Sequence, residues 1–275
     1  MFTLATFGAS IVAGVAGSIL GLGGGIIVIP VLTLLLHVDI RYAIGASIVS
    51  VIATSSGAAA AYVREHLANM RVAMFLELGT TTGALSGAFL AGIIGGRALY
   101  IIFSLVLAYS AFAMFRKRHG EAGMNVPADR LADRLKMHSE YFDEQAQEVV
   151  PYRVTHTGIG LVLMYIAGVV SGLLGIGSGS LKVPAMDLAM RLPIKVSSAT
   201  SNFMIGVTAA ASAGVYFARG DIDPFIAAPV AAGVLVGATA GSRVLGKLTN
   251  KSIRTAFVFV LAWICIEMMW KGVHG

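Results

Sequence analysis

The chain has 275 residues, a formal net charge of +6, 57% apolar residues and only 12% charged ones, with a mean hydropathy of +0.82. A water-soluble domain carries roughly 25% charged residues, so this composition excludes a soluble enzyme, and the net charge, read loop by loop, does not point to nucleic acid. Runs of about 18 or more apolar residues read as membrane spans; several are present, and the expected class is an all-α polytopic membrane protein.

In chain order, apolar segments fall at about 3–20, 25–36, 42–62, 72–94 and 97–115. A polar stretch from Arg116 to Arg153 follows, then apolar segments at about 155–174, 180–190, 197–218, 224–245 and 252–270. The first segment lacks a basic leader and a small-residue cleavage site, and reads as a membrane segment. Segments 25–36 and 180–190 are too short to cross a bilayer, which takes about 20 residues. They read as the returning arms of hairpins.

The hairpin tips are two glycine clusters, in Gly14–Pro30 (GVAGSILGLGGGIIVIP) and Gly168–Pro184 (GVVSGLLGIGSGSLKVP). Glycine pays the largest backbone entropy in a helix, so Gly23, Gly24 and Gly25 break the ladder, as do Gly177 and Gly179. The two stretches are copies. A constant offset of 154 carries Gly14, Gly21, Gly23, Gly25 and Pro30 onto Gly168, Gly175, Gly177, Gly179 and Pro184. The same offset carries Ser47, Thr54 and Tyr62 onto Ser201, Thr208 and Tyr216, and Gly79, Gly83 and Gly87 onto Gly233, Gly237 and Gly241. The chain therefore reads as one integral domain, residues 1–275, with repeat 1 at about 3–115, a connector at 116–153 and repeat 2 at about 155–271.

Charge decides the expected topology. If each broken element crossed the membrane once, the 20 Lys and Arg would divide 11 against 9; if each is a re-entrant hairpin followed by three crossings, they divide 4 (Arg41, Arg97, Arg219, Lys271) against 16. Basic residues concentrate on the cytoplasmic side, so the second arrangement is expected. It makes the repeats inverted, with both termini outside and the 116–153 connector in the cytoplasm. Arg116–Lys117–Arg118 reads as an anchor, and the connector as a solvated segment with a possible amphipathic helix around Asp129–Arg134.

The glycine ladders Gly79–Gly83–Gly87 and Gly233–Gly237–Gly241 are small-xxx-small patterns, which let a neighbouring helix approach closely; they are assigned to packing. Candidate substrate-binding residues surround the tips: Gly23, Gly24, Gly25, Ser47, Gly177, Ser178, Gly179, Ser180, Lys182, Ser201 and Asn202. Free amides and helix starts favour an anion. Lys182, whose repeat partner is Val28, is either functional or snorkels to the interface. Glu77 reads as a partner for a loop cation such as Arg71, and Glu267 as interfacial. Histidines 37, 66, 119, 138, 156 and 274 show no metal-ligand spacing. No nucleophile elbow, P-loop or HExxH is present. No catalytic residue, cofactor or metal is expected.

The stretch GLLGIGSGSLKVPAMDLAMRLPIKVSSATSNFMIGVTAAASAGVYFARGDIDP resembles the second-half signature of the TauE/SafE sulfite exporter family (the TSUP permeases), and GSILGLGGGIIVIPVL resembles its first-half signature. Ser178 stands where the family usually carries glycine. The resemblance implies a multi-pass transporter of the prokaryotic plasma (inner) membrane, moving sulfite, organosulfonates or related small anions. The expected mechanism is alternating access, with the anion and membrane lipid as partners and a homodimer as the candidate assembly. The alternatives are an anion channel and, less favoured, an intramembrane hydrolase.

Overall fold

The computed structural model describes residues 2–64, 67–116, 127, 129–143, 147–245 and 247–274. In order the elements are α1 (Phe2–Leu20), α2 (Gly25–Pro30), α3 (Ile40–Arg64), α4 (Met70–Ala91), α5 (Gly96–Arg116), α6 (Arg130–Arg134), β1 (Ser139–Asp143), β2 (Glu148–Tyr152), α7 (Thr157–Leu174), α8 (Gly179–Pro184), α9 (Ile194–Arg219), α10 (Pro224–Leu245) and α11 (Asn250–His274). Every apolar segment expected from the sequence is helical. Thr157–Leu174, Pro224–Leu245 and Lys251–Val273 are long and apolar enough to cross a membrane.

Both broken elements reverse direction. After α1, Gly21, Gly23 and Gly24 take left-handed φ values of 69°, 76° and 72°; after α7, Gly175, Gly177 and Ser178 follow with 67°, 74° and 56°. Side chains rarely adopt this region, which is why the tips are glycine-rich. The second arm runs back along α7: the Thr155 amide donates to the Met190 carbonyl at 3.3 Å, and a Cβ on Gly160 would meet Met190. In the first hairpin Ala9 and Ser10 lie beside Val28, Val31 and Leu32. Each arm passes through a proline into a π-helical turn, Val31–Leu35 and Ala185–Ala189. Proline withholds one amide and crowds the preceding turn, and the wider turn absorbs the mismatch.

The repeats exchange partners. The first helix of each packs on the third long helix of the other, α1 on α10 and α7 on α4. Related elements also pair, α3 with α9 and α5 with α11. The glycine ladders make this exchange possible. A Cβ on Gly79, Gly83 or Gly87 would strike the α7 backbone at Leu161, Tyr165 or Val169; one on Gly233 or Gly237 would strike the α1 backbone at Phe7 or Ile11. Gly14 against Val234 and Gly168 against Thr80 repeat one contact at the 154 offset.

The connector departs from the expected solvated segment. After α6 it forms an antiparallel hairpin pairing Ser139 with Tyr152 and Asp143 with Glu148, and it buries Ala132, Met137, Tyr141, Tyr152 and Val154. It docks where α4, α7 and α9 begin. Asn69 caps α4 by accepting from the Val72 amide and donates to the Met137 carbonyl at 2.8 Å and the Tyr152 hydroxyl at 2.9 Å. Lys195 of α9, 1% exposed, meets Asp143 at 2.9 Å.

Asp129 joins α6 to α7. It accepts from the Leu131 and Ala132 amides and from both the amide and the hydroxyl of Thr157. Burial by itself raises its pKa, but these hydrogen bonds favour the ionised form more, holding it below the ordinary 3.8. A depressed carboxyl stabilises the docked connector at pH values above 3.8, and that contribution is lost as pH falls below it through the folded value. Replacing Asp129 with alanine removes a helix cap and both Thr157 contacts, and is expected to cost the connector about 1 kcal/mol. Faster amide exchange at 130–135 and at Thr157, with the transmembrane helices unchanged, is the measurement that checks it.

Candidate functional site

The two tips interlock in the middle of the protein. Gly23 and Gly177 both lie against Val51 and Ile205, residues near the midpoints of α3 and α9. Ser47 donates to the Gly175 carbonyl at 2.7 Å, and its repeat partner Ser201 donates to the Gly21 carbonyl at 2.8 Å. Gly179 lies so close to Gly21 and Leu22 that a Cβ would collide with their backbone. Asn202 adds a bond from its Nδ2 to the Ser18 carbonyl at 2.5 Å, and Ser55 donates to the Asn202 carbonyl at 2.6 Å. Each repeat thus clamps the other's tip with hydroxyl and amide donors.

Beside the second tip stands a charged cluster. Lys182, fully buried, donates from Nζ to the Thr208 hydroxyl at 2.6 Å. Thr208 lies 2.6 Å from Glu77 Oε1, which also accepts from Thr81 at 2.9 Å. Glu77 Oε2 is 3.8 Å from Lys182 Nζ and takes no hydrogen bond. Lys182 does not snorkel, and Glu77 does not serve a loop cation: Arg71 donates instead to the Lys136 carbonyl. Glu77 lies about two turns into α4, facing α9 and the returning arm.

The 154 offset shows how one-sided this cluster is. Lys182, Glu77 and Thr80 correspond to Val28, Ala231 and Val234, and the equivalent place in repeat 1 is an apolar cluster containing Ala13, Val28 and Val234. Gly24, the partner of Ser178, would carry its Cβ 3.2 Å from Thr54 Oγ1 and 3.6 Å from a Val234 methyl. At the 154 offset Thr54 and Val234 correspond to Thr208 and Thr80, both polar. The hydroxyls of Ser178, Ser180 and Ser197 and the Oδ1 of Asn202 are buried without a hydrogen-bond partner among the described residues. Buried polar atoms are nearly always paired, so the unspent hydroxyls of Ser178 and Ser180 make the surroundings of the second tip a candidate place for a polar ligand.

A cavity of about 300 Å³ opens at the end remote from the connector, lined by Arg41, Ile44, Tyr216, Arg219 and Asp221. Arg219 grips Asp221 through Nε at 2.8 Å and Nη2 at 2.7 Å, donates to the Ala88 carbonyl, and lies 4.4 Å over the Tyr216 ring. Tyr216 donates to the Gly172 carbonyl at 2.7 Å, and Ile44 abuts Gly175. Two lining residues, Tyr216 and Ile44, thus reach the end of α7 and the second tip. Two arginines against one aspartate leave the lining net positive, which concentrates anions.

Residues 6–268 match the family described as Sulfite exporter TauE/SafE. The chain belongs to the TauE/SafE family. Relatives include the probable membrane transporter protein YunE of Bacillus subtilis (strain 168), 26% identical over 273 residues and covering 96% of each chain. A probable membrane transporter protein of Xylella fastidiosa (strain 9a5c) is 26% identical over 98% of this chain and 95% of its own. The probable membrane transporter protein MJ0441 of Methanocaldococcus jannaschii is 22% identical over 94% of this chain and 92% of its own. No solved structure matches the chain. This TauE/SafE protein is accordingly a membrane transporter.

Of the residues expected to bind substrate, the fold brings Gly23, Gly24, Gly25, Ser47, Gly177, Ser178, Gly179, Ser180, Lys182, Ser201 and Asn202 around the crossing of the two tips. Their roles divide. Ser47 and Ser201 spend their hydroxyls on opposite-tip carbonyls, whereas Ser178 and Ser180 keep theirs. Glu77, read from the sequence as a partner for Arg71, joins the cluster of this TauE/SafE chain with Thr80, Thr81 and Thr208, none of which was expected to bind substrate. The available signal was a break in the repeat: Glu77 and Lys182 are ionisable where the other copy is apolar. Glu267 is exposed on α11. Among the described residues no group of His, Cys, Asp and Glu could hold a metal; His66 and His119 lie outside the described residues.

Proposed function

We propose that this protein is a secondary carrier that moves sulfite, organosulfonates or related small anions across the plasma membrane by alternating access. The observation carrying this reading is Lys182, a fully buried ammonium where two broken elements cross, matched by valine in the other repeat. An ionisable side chain inside a membrane domain is expensive and marks a solute path. The interlocked tips support a carrier over an open channel, because passage requires the Ser47 and Ser201 clamps to release. In this reading the repeats are inverted about an axis in the membrane plane, the connector faces the cytoplasm, and the arginine-lined cavity is the outer vestibule. It is reached from outside while the docked connector covers the inner ends of α4, α7 and α9.

Anion flux into proteoliposomes tests the reading. Lys182→Ala is expected to abolish flux, since it removes the buried ammonium, and Asn202→Ala to reduce it about 10- to 100-fold, the value of a hydrogen bond to a charged group. Undiminished flux in both variants takes these residues out of the site.

A further inference from the structure

We infer that Lys182 and Glu77 form a proton-coupling site: an anion takes Lys182 only together with a proton that neutralises Glu77, so the cargo is a monoanion moved with one proton. The inference rests on the reading that Lys182 receives the substrate. Its geometry is a pair held at arm's length. The ammonium touches the carboxylate only through the Thr208 hydroxyl, 2.6 Å from each. The direct separation from Oε2 is 3.8 Å, beyond a hydrogen bond.

Both partners hold capacity in reserve. An ammonium has three donors, and Lys182 spends one, on Thr208. Glu77 Oε1 faces Thr208 and Thr81, but Oε2 is buried and bare. An oxyanion takes the spare donors of Lys182 and a proton takes Oε2. Charge bookkeeping then fixes the stoichiometry. Without cargo, Lys182 and Glu77 sum to zero. With a monoanion on an ionised pair the core carries one net negative charge, which burial penalises heavily. With a monoanion and a protonated Glu77 the sum is again zero. A dianion leaves the core negative even after Glu77 is protonated, so it is disfavoured. The proton arrives from the same aqueous side as the anion and leaves with it.

Among the described residues no other charge competes for Glu77. Of the titratable groups on the elements around α4, Lys195 faces Asp143, Arg219 faces Asp221, and Arg71 donates to the Lys136 carbonyl. Tyr216 donates to the Gly172 carbonyl and Tyr165 of α7 is exposed. Asp187, in the turn after α8, is buried with interactions of its own.

The test uses methanesulfonate, a monoanion of a strong acid that neither crosses lipid as a neutral species nor carries its own proton. In proteoliposomes, wild-type flux is expected to follow an imposed pH gradient, to acidify the receiving side with one proton per anion, and to ignore a potassium diffusion potential. Sulfate is expected to move at least tenfold more slowly. Glu77→Gln, a neutral mimic of the protonated acid, is expected to ignore the pH gradient and respond to the potential, since each turnover then carries net charge. Wild-type flux that follows potential and not the pH gradient overturns the coupling. So does a Glu77→Gln variant that keeps the wild-type pH response while Lys182→Met is inactive, an outcome that leaves the binding role of Lys182 standing. Unchanged flux in Lys182→Met, or no wild-type flux of methanesulfonate or any other sulfonate, overturns the anion reading and the coupling with it.

Discussion

Replacing Lys182 with methionine is expected to abolish anion flux and to destabilise the protein by about 3–5 kcal/mol, the cost of leaving one member of a buried pair alone. Glu77, only 14% exposed, would face Thr208 and Thr81 with no cation to offset its desolvation. The second half of the prediction separates folding from function. Lys182→Met combined with Glu77→Leu is expected to recover most of the lost stability, because removing both members of a buried pair is often neutral or stabilising. The other half of the protein already packs that way, with Val28 and Ala231 at the equivalent positions. Flux is expected to stay absent in the double variant. Thermal unfolding in detergent beside proteoliposome flux reads both quantities. A double variant no more stable than the single one would show that the pair does not carry the energetics assigned to it.

That pair also marks the limit of what the sequence conveys. The hairpins, their tips and the repeat were legible because each rests on local chemistry: glycines that break a helix, prolines that reshape one, and a constant offset between copies. The glycine ladders were legible for the same reason, since a small residue every fourth position has one main use in a membrane. Glu77 and Lys182 are far apart in the chain and meet only because the second arm doubles back along α7 beside α4. Helical periodicity says nothing about such a meeting, so Glu77 read as a partner for nearby Arg71. The connector misled for another reason. Its strands are short, its charges are mixed, and Pro151 in β2 argues against a strand; yet Asn69, Asp129 and Lys195 each spend a polar group holding it. The clamp roles of Ser47 and Ser201 were equally out of reach, because hydroxyls near a tip look alike until the tips are seen to cross.

Substituting leucine for Gly83 or Gly237 is expected to cost about 3 kcal/mol or more and to prevent accumulation of folded protein, with both variants equally affected. Overpacking a core by a methylene or two costs about 1–3 kcal/mol when side chains can yield. Here the obstacle is a helix backbone: a Cβ on Gly83 meets the Tyr165 carbonyl of α7, and one on Gly237 meets the Ile11 carbonyl of α1. Neither carbonyl can move without separating the helices that the exchange between repeats depends on. Thermal unfolding of the two variants beside alanine controls at Gly8 and Gly158, where nothing lies within 4 Å of a Cβ, checks the expectation. Equal damage from two sites 154 residues apart would show that the frame obeys the repeat, whereas the ionic cluster breaks it. A repeated frame supplies two equivalent hairpins, and in the proposed mechanism the Lys182–Glu77 pair beside one of them is the one place where a solute is held.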